Sequence, residues 1–337
     1  MLDTFLFAFN AIAPMLLLML LGFYLSHIRF FNGEILKRMN TFTFRFGISA
    51  MMFRNVYSLS SLAEIHMNLA CFILFCCVVL TAMGFAEAML FTKQRNRRGI
   101  MIQNSFRSNF AIIGILLATS LGGAEGAGIA SSMQAPTIIY FNVVAVICLT
   151  AYSDQEGRSV DLAGILKSIA TNPMILGQVC GILCLAVRQL IPRDAAGELV
   201  FSLQNDIPFL YSAVDQLASM ASPLILIILG AQVNFSAIGS MKKELVVGIV
   251  QRLILAPAAG FVLAFLAQSL GWIQLNPAVV SALIGVFGSP VASASAAMAE
   301  EMGGDAELAR QYVIWTCALS MLTLLVWIFC FRSAGLL

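Results

Sequence analysis

Ten times along this chain the sequence stays apolar for about twenty residues, the length that carries an α-helix across the hydrocarbon core of a bilayer. The runs cover approximately 3–26, 37–57, 66–91, 101–120, 125–151, 173–190, 206–232, 244–269, 276–299 and 307–331. Lipid offers no partner to backbone N–H and C=O groups, so segments of this kind are held to helical geometry. Of 337 residues, 60% are hydrophobic and only 11% charged, which leaves almost nothing for a soluble catalytic or nucleotide-binding module. The patterns GxxxxGK[ST], HExxH and GxSxG do not occur, nor do paired intramembrane aspartates. The expectation is an all-α integral membrane protein that is not an enzyme and carries no cofactor.

The remaining charges read as topology. No Lys or Arg precedes Arg29, so the first run lacks the basic segment of a cleaved signal peptide and reads as a retained helix. Basic residues crowd the loops after the odd-numbered runs, most densely at Lys93, Arg95, Arg97 and Arg98. The opposite side has only Arg188, Arg193 and Arg332. The positive-inside rule then puts loop 92–100 in the cytoplasm and both termini outside the cell (plasma or inner) membrane. The net charge of +2 is no nucleic-acid footprint; the partner is the lipid bilayer. All eight cysteines fall inside apolar runs, which argues against a disulfide framework. Cys180 and Cys184 share a helical face without any His or carboxylate, so they read as packing residues and not as a metal site.

One run breaks its own pattern. Ser281 to Asp305, SALIGVFGSPVASASAAMAEEMGGD, holds Pro290 among Ser289, Ser293 and Ser295. Proline has no N–H, so the carbonyl of Val286 loses its helical partner. Such a break is either a packing kink or a site where half-helix ends meet a ligand. The fourth run places Arg107, Asn109 and Gly114 where a plain helix would carry leucine, and the fifth holds Gln134, Pro136 and Asn142. LGGAEGAG (121–128) after the fourth run is similar to MGGDAELA (302–309) after the ninth. Five runs per half is an odd number, so the expectation is a 5+5 inverted repeat, 1–151 and 159–337, with broken, crossing helices 4 and 9.

Each candidate residue has two readings. Asn109, Gln134 and Asn142 are either interhelical packing amides or ligand contacts. Ser289 and Ser293 either return their hydroxyls to helix carbonyls or face the crossover. Asp215 in the seventh run is a solvated interfacial carboxylate or an ion-coupling group, and Arg252 in the eighth is a second candidate for ion coupling. Arg107 either anchors the cytoplasmic end of its helix or neutralises an anion.

RSNFAIIG (107–114), NPMILGQVCGIL (172–183), AVDQLASMASPLILIILGAQV (213–233), QRLILAP (251–257) and GSPVASASAAMAEEMGGDAELA (288–309) together resemble the auxin efflux carrier family, which includes bacterial malate and malonate permeases. The resemblance implies a scaffold of helices 1, 2, 6 and 7 beside a mobile transport domain of helices 3–5 and 8–10. It also implies elevator-type movement and a homodimer. The family's helix-4 Asn falls on Asn109, its helix-9 Pro on Pro290 and its helix-5 Asn on Asn142. Two prolines of the pattern are missing, with Ser49 and Leu116 in their places, so helix 4 is expected to be the more regular of the crossing pair, opened at Gly114.

The substrate set expected from Asn109, Gly114, Gln134, Asn142, Ser289, Pro290 and Ser293 suits a small organic anion such as a carboxylate, with a proton or sodium ion as possible coupling ion. The competing readings are a sodium-coupled carrier of the bile-acid symporter type and a non-transporting membrane sensor on the same fold. A sodium site wants carboxylates at the crossover, whereas Glu300, Glu301 and Asp305 lie past it.

Overall fold

The computed structural model describes residues 2–58, 67–153, 162–192 and 200–337, and the loop residues His66, Arg158 and Arg193 fall outside them. The described elements are α1 (Leu2–His27), α2 (Gly33–Phe42), α3 (Ser49–Tyr57), α4 (Met67–Phe91), α5 (Arg95–Phe106), α6 (Ile115–Tyr152), α7 (Leu162–Thr171), α8 (Pro173–Leu190), α9 (Leu203–Asp206), α10 (Pro208–Ala231), α11 (Ile238–Val250), α12 (Ala256–Ser269), α13 (Pro277–Gly288), α14 (Ala294–Glu301) and α15 (Ala306–Ser333). Wider π-helical turns join α2 to α3 (Thr43–Ile48), open α6 (Phe110–Gly114) and join α11 to α12 (Gln251–Leu255). Among the described residues six helical stretches are long and apolar enough to cross a membrane. Large apolar side chains such as Leu190, Phe209 and Leu270 stand more than three-quarters exposed, as a lipid-facing surface requires.

Local sequence sets the helix ends. Asn32, Asn172, Asn276 and Asp305 accept backbone N–H bonds at the starts of α2, α8, α13 and α15. Pro173, Pro208 and Pro277 sit in first turns, where a missing N–H costs nothing. Gly123 adopts φ 61°, ψ −151° and folds α6 back on itself, dividing the fourth apolar run from the fifth. Pro257 leaves the Leu253 carbonyl without a helical donor, and the Trp327 indole supplies one at 3.3 Å.

Two groups of helices pack through glycines. A Cβ on Gly22 would stand 2.0 Å from the Ile227 carbonyl oxygen, and one on Gly230 would stand 1.8 Å from that of Met19, so α1 and α10 touch backbone to backbone. Gly177 and Gly181 of α8 meet Ser49 and Phe53 of α3 in the same way. Small residues at both seams permit the close approach that holds membrane helices together. In the other group α4 packs on α5, α5 on α6, and α6 on α13. At the mouth of this group Arg97 bridges Asp305 (2.8 Å) and Glu244 (3.1 Å), tying the start of α5 to α11 and to the turn before α15.

Candidate functional site

Two broken helices meet at their breaks. α5 ends at Phe106, and Asn109 stands at φ −79°, ψ 44° before the π-helical turn begins. α13 ends at Gly288, with Ser289 extended, and α14 begins at Ala294. The two gaps pair as a short antiparallel bridge, Ser108 opposite Val291. Asn109 donates its N–H to the Pro290 carbonyl at 2.7 Å, and Ala292 donates to the Arg107 carbonyl at 3.1 Å. Each break therefore supplies backbone partners that the other has lost. A Cβ on Gly114 would stand 2.6 Å from the Gly285 carbonyl oxygen, and one on Gly285 would stand 2.4 Å from that of Gly114. This glycine pair fixes how closely α13 and the π-helical turn leading into α6 cross.

The break in the first half falls two turns before Leu116 and not at Gly114 as expected; it is the shorter of the two, 107–109 against 289–293. No proline is needed there, because the facing segment and a buried arginine take up the freed carbonyls. That arginine is Arg252, fully buried on the π-helical turn before α12. Its Nε and Nη2 donate to Ser289 O at 3.1 and 2.9 Å, Nη2 also reaches Phe287 O (2.9 Å) and Val286 O (3.2 Å), and Nη1 donates to Ser105 O (3.1 Å). A single guanidinium thus caps the C-terminal ends of α13 and α5, where the helix dipoles favour a cation. The carbonyl of Val286, orphaned by Pro290, is among those it serves.

Arg107 lies on the same crossing and is equally buried, at 2% exposure. Its Nη2 donates to Asn142 Oδ1 at 2.9 Å, and its Nη1 reaches Gln103 Oε1 (3.4 Å) and the sulfur of Met298. Asn142 in turn donates to Gln178 Oε1 of α8 at 3.2 Å. No carboxylate pairs with Arg107 among the described residues. Nearby donors stand idle: the Ser108 and Ser295 hydroxyls and the Gln178 amide nitrogen are buried without a hydrogen-bond partner among the described residues. The crossing is buried and rich in donors, and neither of its two arginines, Arg107 and Arg252, is paired with an acid among the described residues.

The expected residues distribute unevenly around it. Asn109 and Pro290 meet directly, Gly114 forms the tight seam, and Asn142 faces Arg107. The Ser289 hydroxyl returns to the Gly285 carbonyl at 2.6 Å, while its own carbonyl serves Arg252. Ser293 is buried just before α14, without capping it through its side chain. Gln134 is buried on α6 with no hydrogen bond to the crossing among the described residues. Asp215 is elsewhere, paired with Arg54 of α3 at 3.0 Å and partly exposed. Arg107, read from the sequence either as a helix-end anchor or as an anion neutraliser, stands at the crossing itself, and Gln178, which the sequence reading passed over, joins it through Asn142. The available signal was the sequence RSN itself, an arginine with no acid a turn away on its own helix.

Comparison with known proteins gives the family. A profile of the family described as membrane transport protein, the auxin efflux carrier family, matches residues 7–328. The chain belongs to that family. No curated protein matches it. As a member of the auxin efflux carrier family it is a membrane transporter, and the family match runs through both broken segments and through α8, which carries Gln178.

Proposed function

We propose that this protein is a secondary transporter of a small organic anion such as a carboxylate, bound at the crossing of the two broken helices. The observation that carries the reading is Arg107, a buried cation without an acid partner, beside buried donors at Ser108, Ser295 and Gln178 that lack acceptors. Buried polar groups without partners are rare and call for an explanation; a carboxylate supplies the kind of acceptor these three donors lack and the countercharge Arg107 lacks. Asn142 and Gln178 link the crossing to α8, so the crossing touches the other group of helices.

In this reading the chain makes ten spans in two inverted five-span halves, 1–151 and 159–337. α1, α2–α3, α8 and α10 form the scaffold. α4–α6 and α11–α15 form the moving part, which carries the anion past the scaffold. Support comes from the backbone-close glycine seams inside the scaffold, which resist sliding, set against contacts such as Thr41–Glu301 and Arg310–Gln232 between the groups. Those side-chain bonds are few and exchangeable with water.

Thermal unfolding of the purified protein with malonate, malate, a monocarboxylate and an uncharged diester tests the class of ligand. Binding to the folded state alone raises the melting temperature. At least one carboxylate should do so and the diester should not. Equal stabilisation by diester and acid would contradict the proposal, as would failure of any stabilising anion to exchange across proteoliposomes.

A further inference from the structure

α4 is almost wholly apolar, yet it carries Glu87 near its C-terminal end. Glu87 is 7% exposed, and neither of its carboxylate oxygens has a hydrogen-bond partner among the described residues. An ionised carboxylate taken out of water without a partner costs far more than a folded protein can spare, and such groups bind a proton instead.

The groups around it offer no countercharge. α4 packs on α5, α6, α11 and α12. On α5, Arg97 is held by Asp305 and Glu244, and Arg98 donates to the Thr92 carbonyl. On α11, Glu244 faces Arg97, while Lys243 lies over the Phe91 ring at 5.4 Å. On α6, Tyr140 is bonded to Thr81, and Cys148 is buried; α12 has no titratable side chain. The Tyr312 hydroxyl, near enough to Glu87 to act on it electrostatically, donates to the Glu244 carbonyl at 2.8 Å. On α5, which packs on α4, Asn104 turns its amide nitrogen to Gly248 O and leaves its own oxygen without a donor. What this pocket lacks is a proton to give.

We propose that Glu87 is a proton-binding site, neutral in this conformation and able to release its proton when movement of the helix group that holds it, α4–α6 with α11–α15, admits water. On release the carboxyl O–H bond breaks and the proton passes to water, leaving a hydrated carboxylate. Coupling of that proton to anion movement rests on the function proposed above.

Infrared spectroscopy of the full-length purified protein decides the matter without any substrate. At neutral pH the wild type should show the carbonyl stretch of a protonated carboxylic acid. The band should move when the protein carries isotope-labelled glutamate and vanish in Glu87→Gln, which copies the neutral form. Glu87→Asp, which displaces the band without removing it, makes the assignment if the Gln variant does not fold. Absence of the band at neutral pH overturns the proposal, as does its persistence in a folded Glu87→Gln protein or its loss when sodium replaces choline at fixed pH. In proteoliposomes, Glu87→Gln should keep exchange of radiolabelled malonate and lose its accumulation under a pH gradient. Accumulation equal to wild type overturns the coupling. If neither protein exchanges malonate, it is the malonate-transport reading that fails, and the infrared result still decides the proton site.

Discussion

The N–H of Asn109 and the carbonyl of Pro290 form a 2.7 Å hydrogen bond that joins two interrupted helices at their interruptions. Residues far apart in the chain thereby complete each other's backbone. Only one of the two breaks contains a proline, so proline is not what keeps this crossing open. The bridge and the Arg252 guanidinium do so.

A direct consequence concerns Arg252 and Pro290. Arg252→Lys keeps the charge but cannot hold carbonyls on two helices at once, because an ammonium lacks the planar fork. It should cost about 1–3 kcal/mol, the range for leaving a buried acceptor unmet. Pro290→Ala should cost less than about 1 kcal/mol, since the bridge survives it. Melting temperatures of the purified variants check the order, and a greater loss from Pro290→Ala would return the break to proline.

The glycine seam makes a steric prediction. Gly285→Ala places a methyl group 2.4 Å from the Gly114 carbonyl oxygen, where only backbone movement can make room. Overpacking of this kind costs about 1–3 kcal/mol. Gly128→Ala, where nothing lies near, should be neutral on the same thermal assay. Equal melting temperatures for Gly285→Ala and wild type would show that the crossing is looser than described.

Much of this was legible in the chain. The apolar runs pointed to an all-helical chain, of which six described stretches are long and apolar enough to cross a membrane, and SPVASAS marked the break between α13 and α14, because proline and clustered small residues have local effects. The break at Arg107–Asn109 was harder to place. Its cause is not local: the carbonyls it frees are met by Ala292 and Arg252, which no window around Asn109 contains. Arg252 illustrates the same limit. A lone arginine in an apolar run suggests an ion or ligand role, and its hydrogen bonds to four carbonyls become visible only once α13 is in place. Asp215 read as a solvated interfacial carboxylate or an ion-coupling group; its partner, Arg54, belongs to another run and could not be assigned to it from sequence.

The ion cluster around Arg97 should behave as a unit. Arg97 is largely buried between Glu244 and Asp305. Arg97→Met leaves two carboxylates facing each other and should cost about 3–5 kcal/mol. Adding Glu244→Gln should restore part of that loss, a coupling that a double-mutant cycle measures directly. Strict additivity would mean that the contacts are not energetically shared.

Topology is open to chemical labelling. With the native cysteines replaced, a cysteine at Asn96 should resist a membrane-impermeant reagent in intact cells and react after permeabilisation. Ready labelling from outside would invert the orientation read from the basic loops.

The central claim, that an anion is held by Arg107 at the crossing, is tested most directly by the dissociation constant of the most stabilising carboxylate. Arg107→Gln keeps hydrogen bonding to Asn142 and removes the charge. Loss of charge-assisted bonds worth about 1.5–3 kcal/mol should weaken binding roughly 10- to 150-fold. Arg54→Gln, at the Asp215 pair away from the crossing, should leave it unchanged. An unaltered dissociation constant in a folded Arg107→Gln protein would contradict the account.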